Sequence, residues 1–279
     1  MLFRGRTASI FILALLLLPA LVAADRTGEI VVFAGSASKP PLEEAAVLFR
    51  KETGIDVVLH LGGSGAMLNQ LRLSRQGDVY IPGSPDFLEK AKHFGLVRPE
   101  SERILAYLVP AINVAKGNPK GIIGLVDLAR PGVKIGMADP EGVCVGLYAV
   151  EILERSRLAA GIRRNIAASV ESCEKTAALI PLRAVDATLG WREFSSWNSQ
   201  IESIPLAPHE VVRLGYIPGA VTAASANPRE SEAFLAFLGS GRGRAIFRKW
   251  GYFTDEQEAR RFAPDAVVGG EYLLPPGWR

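Results

Sequence analysis

The chain has 279 residues, of which 48% are hydrophobic and 22% charged, and its formal net charge is +3. At about 150 residues per domain, it can form one large unit or two modest ones with a buried core. The apolar content excludes a disordered chain, and the small net charge gives no reason to expect nucleic acid as a partner.

Residues 1–24 have the pattern of a secretion signal peptide. Arg4 and Arg6 precede a continuous apolar run at 10–18, Pro19 interrupts this run, and small residues at 22–24 supply a cleavage site. The run is about half of the ~20 residues that a membrane span needs, which favours cleavage over an uncleaved anchor. We therefore expect a mature protein that is exported to the periplasm.

Strands and helices alternate along the rest of the chain, as the periodicity of apolar residues indicates. The predicted strands lie at 29–33, 56–61, 78–81, 105–114, 134–138, 184–189 and 213–223. The predicted helices lie at 42–49, 66–73, 85–93, 146–157, 173–182, 228–238 and 242–250. This alternation predicts an α/β fold with mostly parallel sheets flanked by helices.

The alternation restarts after a turn-rich stretch at 116–121, which predicts two similar lobes. Residues 25–109 and 214–279 form the first predicted lobe, and residues 110–213 form the second. The chain then crosses twice between the lobes, so we expect a hinge.

Hydroxyls, glycines and backbone N–H groups follow the predicted strands where helices begin. Two junctions in each lobe have this character, and their candidate residues are Ser36, Ser38, Gly63, Ser64, Gly65, Cys144, Val145, Ser172 and Cys173. Helix N-termini hold anions without a cationic side chain, and such junctions face a crevice at the carboxyl ends of the strands. Any one of these serines is first a candidate helix cap, so the convergence of four junctions carries the anion-cleft hypothesis.

Other chemistries have weak support. The stretch at 62–66 misses the G-x-S-x-G elbow because Ala66 replaces the last glycine, and no phosphate-binding loop is present. The three histidines are scattered without metal-ligand spacing, so we expect neither a metal site nor a cofactor. Two cysteines in an exported protein favour a disulfide between Cys144 and Cys173.

Several segments resemble the periplasmic molybdate/tungstate-binding proteins of ABC importers. The resemblance covers nearly all of the predicted mature chain and rests on VVFAGSASKPPLEEAAVLFRKETG, VVLHLGGSGAMLNQL, GDVYIPGS, ADPEGVCVGLYAVEIL, VDATLGW and FLAFLGSGRGRAIFRKWGYF. It implies a two-lobed periplasmic-binding-protein fold of type II character that closes on a tetrahedral oxyanion. The implied contacts are Ser36 or Ser38, Ser64 with Gly63 and Gly65, the backbone at Val145 after Cys144, and the region of Ser172 and Cys173.

Two departures from the family pattern affect the expected site. A tyrosine that many molybdate binders place after VDA is absent here, and Arg192 or Trp191 is a candidate replacement. A surface cation at a helix start is the simpler interpretation of Arg192. Val143 stands where one branch of the family has a carboxylate, so octahedral coordination of the metal is not supported. A disulfide between Cys144 and Cys173 would tie two cleft loops together, whereas free thiols would suit a thiophilic ligand such as arsenite.

The resemblance implies a monomeric, non-enzymatic binding protein that delivers molybdate or tungstate to an inner-membrane permease with its ATPase. Three alternatives stay open. In the first, the same fold binds a sulfate-like or phosphate-like anion, arsenite or a small organic acid. In the second, it delivers its ligand to a sensor. A more distant alternative is an exported hydrolase that uses Ser64.

Overall fold

A computed structural model describes residues 28–278, so the predicted signal peptide lies outside the described residues. The strands are β1 (Glu29–Gly35), β2 (Asp56–Gly62), β3 (Val79–Ile81), β4 (Arg103–Leu108), β5 (Pro110–Ala115), β6 (Ile135–Ala138), β7 (Ile166–Val170), β8 (Ala187–Trp191), β9 (Ile201–Pro205), β10 (Arg213–Val221) and β11 (Val267–Val268). The α-helices are α1 (Lys39–Thr53), α2 (Ser64–Ser74), α3 (Pro85–His93), α4 (Cys144–Ser156), α5 (Ala159–Arg163), α6 (Cys173–Ala178), α7 (Phe194–Trp197), α8 (Pro228–Gly239), α9 (Gly241–Lys249) and α10 (Glu256–Arg260). Within residues 28–278, none of these helices has both the length and the apolar character of a membrane span.

The strands form two separate sheets, each flanked by helices, which confirms the predicted two-lobed α/β architecture. The first sheet has the order β11-β10-β3-β1-β2, with β4 beside β10, and the second has the order β7-β6-β8-β5-β9. We call the first sheet with its helices lobe 1 and the second sheet with its helices lobe 2. The predicted lobe boundaries at 109/110 and 213/214 remain predictions.

Each sheet is mixed, although the alternating pattern predicted mostly parallel pairing. In lobe 1, β1 pairs in parallel with β2 and β3, but β10 is antiparallel to both β3 and β4. In lobe 2, β6 pairs in parallel with β7 and β8, but β5 is antiparallel to β8 and β9. The antiparallel strands β4, β5, β9 and β10 are the ones that adjoin the two crossovers.

The predicted long strand at 105–114 is wrong, because two strands occupy this region. β4 belongs to the lobe 1 sheet and β5 to the lobe 2 sheet, and Val109 lies between them. Pro110 can begin a strand because its missing N–H is not needed there. The first crossover therefore occupies a single residue, and the second lies between Pro205 and Arg213.

Helix α1 shows how the sequence directs a helix onto the lobe 1 sheet. Two prolines stand in its first turn, where their missing N–H groups cost nothing, and Gly54 ends it with a φ of 75°. Its buried residues Leu42, Ala45 and Phe49 recur at helical spacing. Packing of this face fixes the start of α1, and with it the loop after β1, at the carboxyl end of β1.

Candidate functional site

The predicted loops of the two lobes meet at one buried contact, which we call the cleft contact. Lobe 1 contributes the loop that follows β1 and the start of α2, and lobe 2 contributes the starts of α4 and α6. The Gly65 N–H donates to the Gly142 carbonyl across the contact at 2.8 Å. The side chains that meet here are at most 1% exposed, and they are Ser36, Ser64, Cys144 and Cys173.

The serine hydroxyls at this contact have different partners. Ser36 Oγ accepts the Glu174 N–H of lobe 2 at 3.3 Å, whereas Ser38 Oγ donates to the Gly35 carbonyl of its own loop at 3.1 Å. Ser64 Oγ accepts the Gly83 N–H at 3.0 Å. Of the two serines that the sequence left open in the first loop, Ser36 is therefore the one that reaches the opposite lobe.

Ser172 has a structural role at the start of α6. Its Oγ accepts the Lys175 N–H at 3.1 Å, which is the geometry of a helix N-cap. Its side chain is 7% exposed, and it directly precedes Cys173. The Val145 backbone lies in the first turn of α4, directly after Cys144.

Two glycines of lobe 1 allow the lobes to approach closely. A Cβ placed on Gly63 would lie 2.6 Å from the Glu171 carbonyl oxygen, and one on Gly83 would lie 2.5 Å from Cys144 Sγ. A side chain on Gly63 would meet the backbone of lobe 2, whereas one on Gly83 would meet the Cys144 thiol of lobe 2 and also Ala37 of lobe 1. The sequence singled out Gly63 and Gly65 but not Gly83, whose only signal was its place in the GDVYIPGS segment.

The expected disulfide between Cys144 and Cys173 is absent from the structure. Both cysteines are free, and their Sγ atoms lie 3.6 Å apart, well beyond a bond length of about 2.05 Å. Cys144 is the first residue of α4 and Cys173 the first residue of α6. Their two thiols face each other as a weak hydrogen-bonding pair. Burial raises the pKa of the Cys173 thiol well above its usual value, and the neighbouring Cys144 adds to this rise.

The contacts of Arg192 lie outside the cleft contact. Its Nη1 donates to the Gly251 carbonyl at 2.9 Å, and its guanidinium lies over the rings of Phe253 and Phe262. It follows directly after Trp191, the fully buried end of β8, and successive side chains along a strand point to opposite faces. The Arg192 side chain is thus half-buried and held by packing, rather than standing free at the surface, and a contact with ligand stays a prediction.

Charged groups lie at the rim of the cleft contact and are paired with one another. Lys39 Nζ lies 2.5 Å from Glu174 Oε1, and Lys175 pairs with Glu171 one helical turn away. The hydrogen bond that Lys39 Nζ donates to the Glu174 carboxylate is the main cause of the raised pKa of Lys39. The four buried polar side chains of the contact, by contrast, are two hydroxyls and two thiols.

The structure offers no support for the hydrolase alternative. Ser64 Oγ is engaged by the Gly83 N–H, and His60 stacks on Phe33 with ring centroids 5.0 Å apart. In residues 28–278 no group of three histidine, cysteine or carboxylate side chains could hold a metal ion.

A buried ionic cluster near the second crossover was not anticipated from the sequence. Arg213, at the start of β10, pairs with Asp86 on α3 and with Glu151 on α4. Arg213 Nη1 also donates to the Gly270 carbonyl at 2.7 Å. The cluster thus joins a helix of each lobe, and no local sequence motif marks it.

Comparison with known proteins finds similarity over most of the chain. The molybdate-binding protein ModA of Rhodobacter capsulatus is 24% identical over 253 residues, covering 87% of this chain and 95% of the relative. The periplasmic molybdate-binding protein of Azotobacter vinelandii has a TM-score of 0.68 at 19% identity, covering 80% of this chain and 98% of that one. The sulfate-binding protein SubI of Mycobacterium tuberculosis has a TM-score of 0.73 at 15% identity, covering 87% of this chain and 94% of that one.

The family model described as bacterial extracellular solute-binding protein matches residues 30–253. This match includes both sheets except for β11, and it includes every loop of the cleft contact. The chain belongs to the bacterial extracellular solute-binding protein family.

Proposed function

We propose that this protein is the exported substrate-binding component of an ABC importer and that it captures a tetrahedral oxyanion, molybdate or tungstate, between its lobes. It would hand the closed, loaded form to an inner-membrane permease with its ATPase. It would act as a monomer, without a cofactor and without catalysis.

One observation carries the proposal: hydroxyls and helix starts from both lobes converge on a single buried contact. Ser36 and Ser64 come from lobe 1, and the first turns of α4 and α6 come from lobe 2. Hydroxyls and helix N-terminal N–H groups are the donors that hold a dianion where cations are absent. The similarity to molybdate-binding relatives over nearly the whole chain supports the same ligand class.

Binding in this cleft requires opening at the two crossovers. With the lobes in contact, Ser36 and Ser64 are both 1% exposed, so a ligand reaches them only from an open form. Closure then surrounds the anion with donors of fixed position. A smaller anion such as sulfate leaves some of these donors unpaired, and each buried unpaired donor costs about 1–3 kcal/mol.

The test is a calorimetric titration of the purified protein lacking residues 1–24 with molybdate, tungstate, sulfate and phosphate. We expect molybdate and tungstate to bind at least about tenfold more tightly than sulfate, since one unpaired donor costs about 1.4 kcal/mol. Tighter binding of sulfate would support the sulfate-binding alternative. The absence of any response to all four anions would contradict the proposal.

Ser64→Ala tests whether the cleft contact is the binding site. Ser101→Ala is its matched control, because both hydroxyls are buried and each accepts one backbone N–H, at 3.0 Å from Gly83 and 2.9 Å from Val221. Ser101 Oγ also donates to the Arg98 carbonyl at 2.6 Å, so Ser101→Ala should lose at least as much stability, but only Ser64→Ala should weaken anion binding. Equal affinities in the two variants would place the ligand elsewhere.

A further inference from the structure

We propose that the facing thiols of Cys144 and Cys173 make the same cleft a binding site for a trivalent metalloid hydroxide such as arsenite. The inference rests on the proposed function only in requiring that the cleft can open. It adds a covalent, thiol-dependent ligand to the hydroxyl and backbone donors.

The two sulfurs are spaced for one bridging atom. Their separation is 3.6 Å, and both side chains are 1% exposed. An atom bonded to two sulfurs at about 2.3 Å, with an angle between about 100° and 110°, holds them about 3.5–3.8 Å apart. A pyramidal centre with two sulfur ligands therefore fits with little movement of either helix start.

Oxygen donors border the thiol pair from lobe 1. Ser64 Oγ and Cys144 Sγ lie 3.5 and 2.5 Å from the point that a Cβ on Gly83 would occupy. The third ligand of a trivalent metalloid bound to both thiols is a hydroxyl group. Ser64 is the side chain placed to hydrogen-bond this hydroxyl.

The reaction is a condensation without oxidation or reduction. Arsenite enters as neutral As(OH)₃, and two As–S bonds replace two As–O bonds. The two thiol protons leave with the two displaced hydroxides as water. Neutral thiols and a neutral product suit a buried contact, because no charge has to be desolvated.

A conventional metal ion fits this pair less well. Zinc completes a tetrahedral set with four ligands in structural sites, and residues 28–278 contain no third histidine, cysteine or carboxylate grouped with these thiols. The lysines at the rim, Lys39 and Lys175, are already paired with carboxylates. Soft, thiophilic character is therefore the property that selects the ligand.

The experiment titrates sodium arsenite into reduced protein under anaerobic conditions, followed by calorimetry and by counting thiols that still react with a disulfide reagent. We expect one arsenite per chain and the loss of both reactive thiols. Cys144→Ser and Cys173→Ser each retain one thiol and should bind arsenite at least about 100-fold more weakly, because the second bond is no longer intramolecular. Ser101→Ala, whose hydroxyl binds the Val221 N–H, should bind like the wild type.

Unchanged arsenite affinity in both cysteine variants, or no binding to the wild type, would overturn the inference. Thermal unfolding of each cysteine variant without ligand shows whether that variant folds. If a variant does not fold, the number of wild-type thiols that arsenite protects decides whether the thiols bind it. Molybdate is titrated separately on the wild type. A response to arsenite alone would contradict only the proposed oxyanion, whereas a response to molybdate alone would contradict only the thiol site.

Discussion

Arg213 and Glu151 form a buried ion pair that joins the second crossover to helix α4 of lobe 2. Arg213 Nε lies 2.5 Å from Glu151 Oε2, and the two side chains are 5% and 7% exposed. Arg213 Nη1 also lies 3.2 Å from Asp86 Oδ1 on α3 of lobe 1. Burial raises the pKa of Glu151, while the charge of Arg213 acts in the opposite direction. One guanidinium therefore compensates two carboxylates on different lobes.

Replacement of Arg213 should be strongly destabilising. Arg213→Met leaves Asp86 and Glu151 buried without their cation, and breaking a buried pair in this way costs about 3–5 kcal/mol. Arg242→Met is the matched control, because Arg242 pairs with Glu52 at the surface and is 70% exposed, so its loss should cost less than about 1 kcal/mol. Urea unfolding at neutral pH measures the free energy of unfolding of both variants. An equal decrease in the two would show that the cluster contributes no more than a surface pair.

Gly63→Ala should hold the cleft open without disturbing lobe 1. Gly63 has φ −62° and ψ 141°, which alanine adopts freely, but an added Cβ would lie 2.6 Å from the Glu171 carbonyl of lobe 2. Gly239→Ala is the control, because nothing lies within 4 Å of a Cβ there. We expect Gly63→Ala alone to increase the radius of gyration in X-ray scattering and to speed alkylation of Cys144. Values equal to those of the control would mean that this contact does not limit closure.

Much of the fold could be predicted because its signals are local. The buried face of α1, its two prolines and Gly54 all lie within one segment, so periodicity and capping residues were enough. The break between β4 and β5 left no comparable signal. The apolar run at 105–114 continues through Val109, and only the assignment of its halves to different sheets reveals two strands.

The residues of the candidate site were predictable only to the extent that each marks a helix start. Ser64 and Cys144 were found in this way, since α2 and α4 begin at these residues. Gly83 and Arg213 act through partners that are distant in sequence, Cys144 and Glu151, and no local pattern records such contacts. The packing of Arg192 against Phe253 and Phe262 likewise depends on the arrangement of the C-terminal segment.

The free thiols predict a simple chemical result. Protein purified without reductant and unfolded in urea should titrate two thiols per chain, since both cysteines are free in the structure. The folded protein should react much more slowly, because each cysteine is only 1% exposed. Protein treated with a phosphine reductant serves as the control and gives two thiols in either case. A count of zero before reduction would show that the pair is oxidised to a disulfide.

Glu193 should lower the free energy of unfolding as the pH rises from about 4.5 to about 8. Its carboxyl is fully buried, and neither oxygen has a hydrogen-bond partner among the described residues. Burial raises the pKa of Glu193 from 4.5 to about 8. Between these values the folded state holds a proton that the unfolded state has lost, so the free energy of unfolding falls by up to about 1.4 kcal/mol per pH unit. Glu193→Gln should remove this slope in urea unfolding from pH 6 to 9, whereas the exposed Glu232→Gln should keep it, and parallel curves for all three proteins would contradict a protonated Glu193.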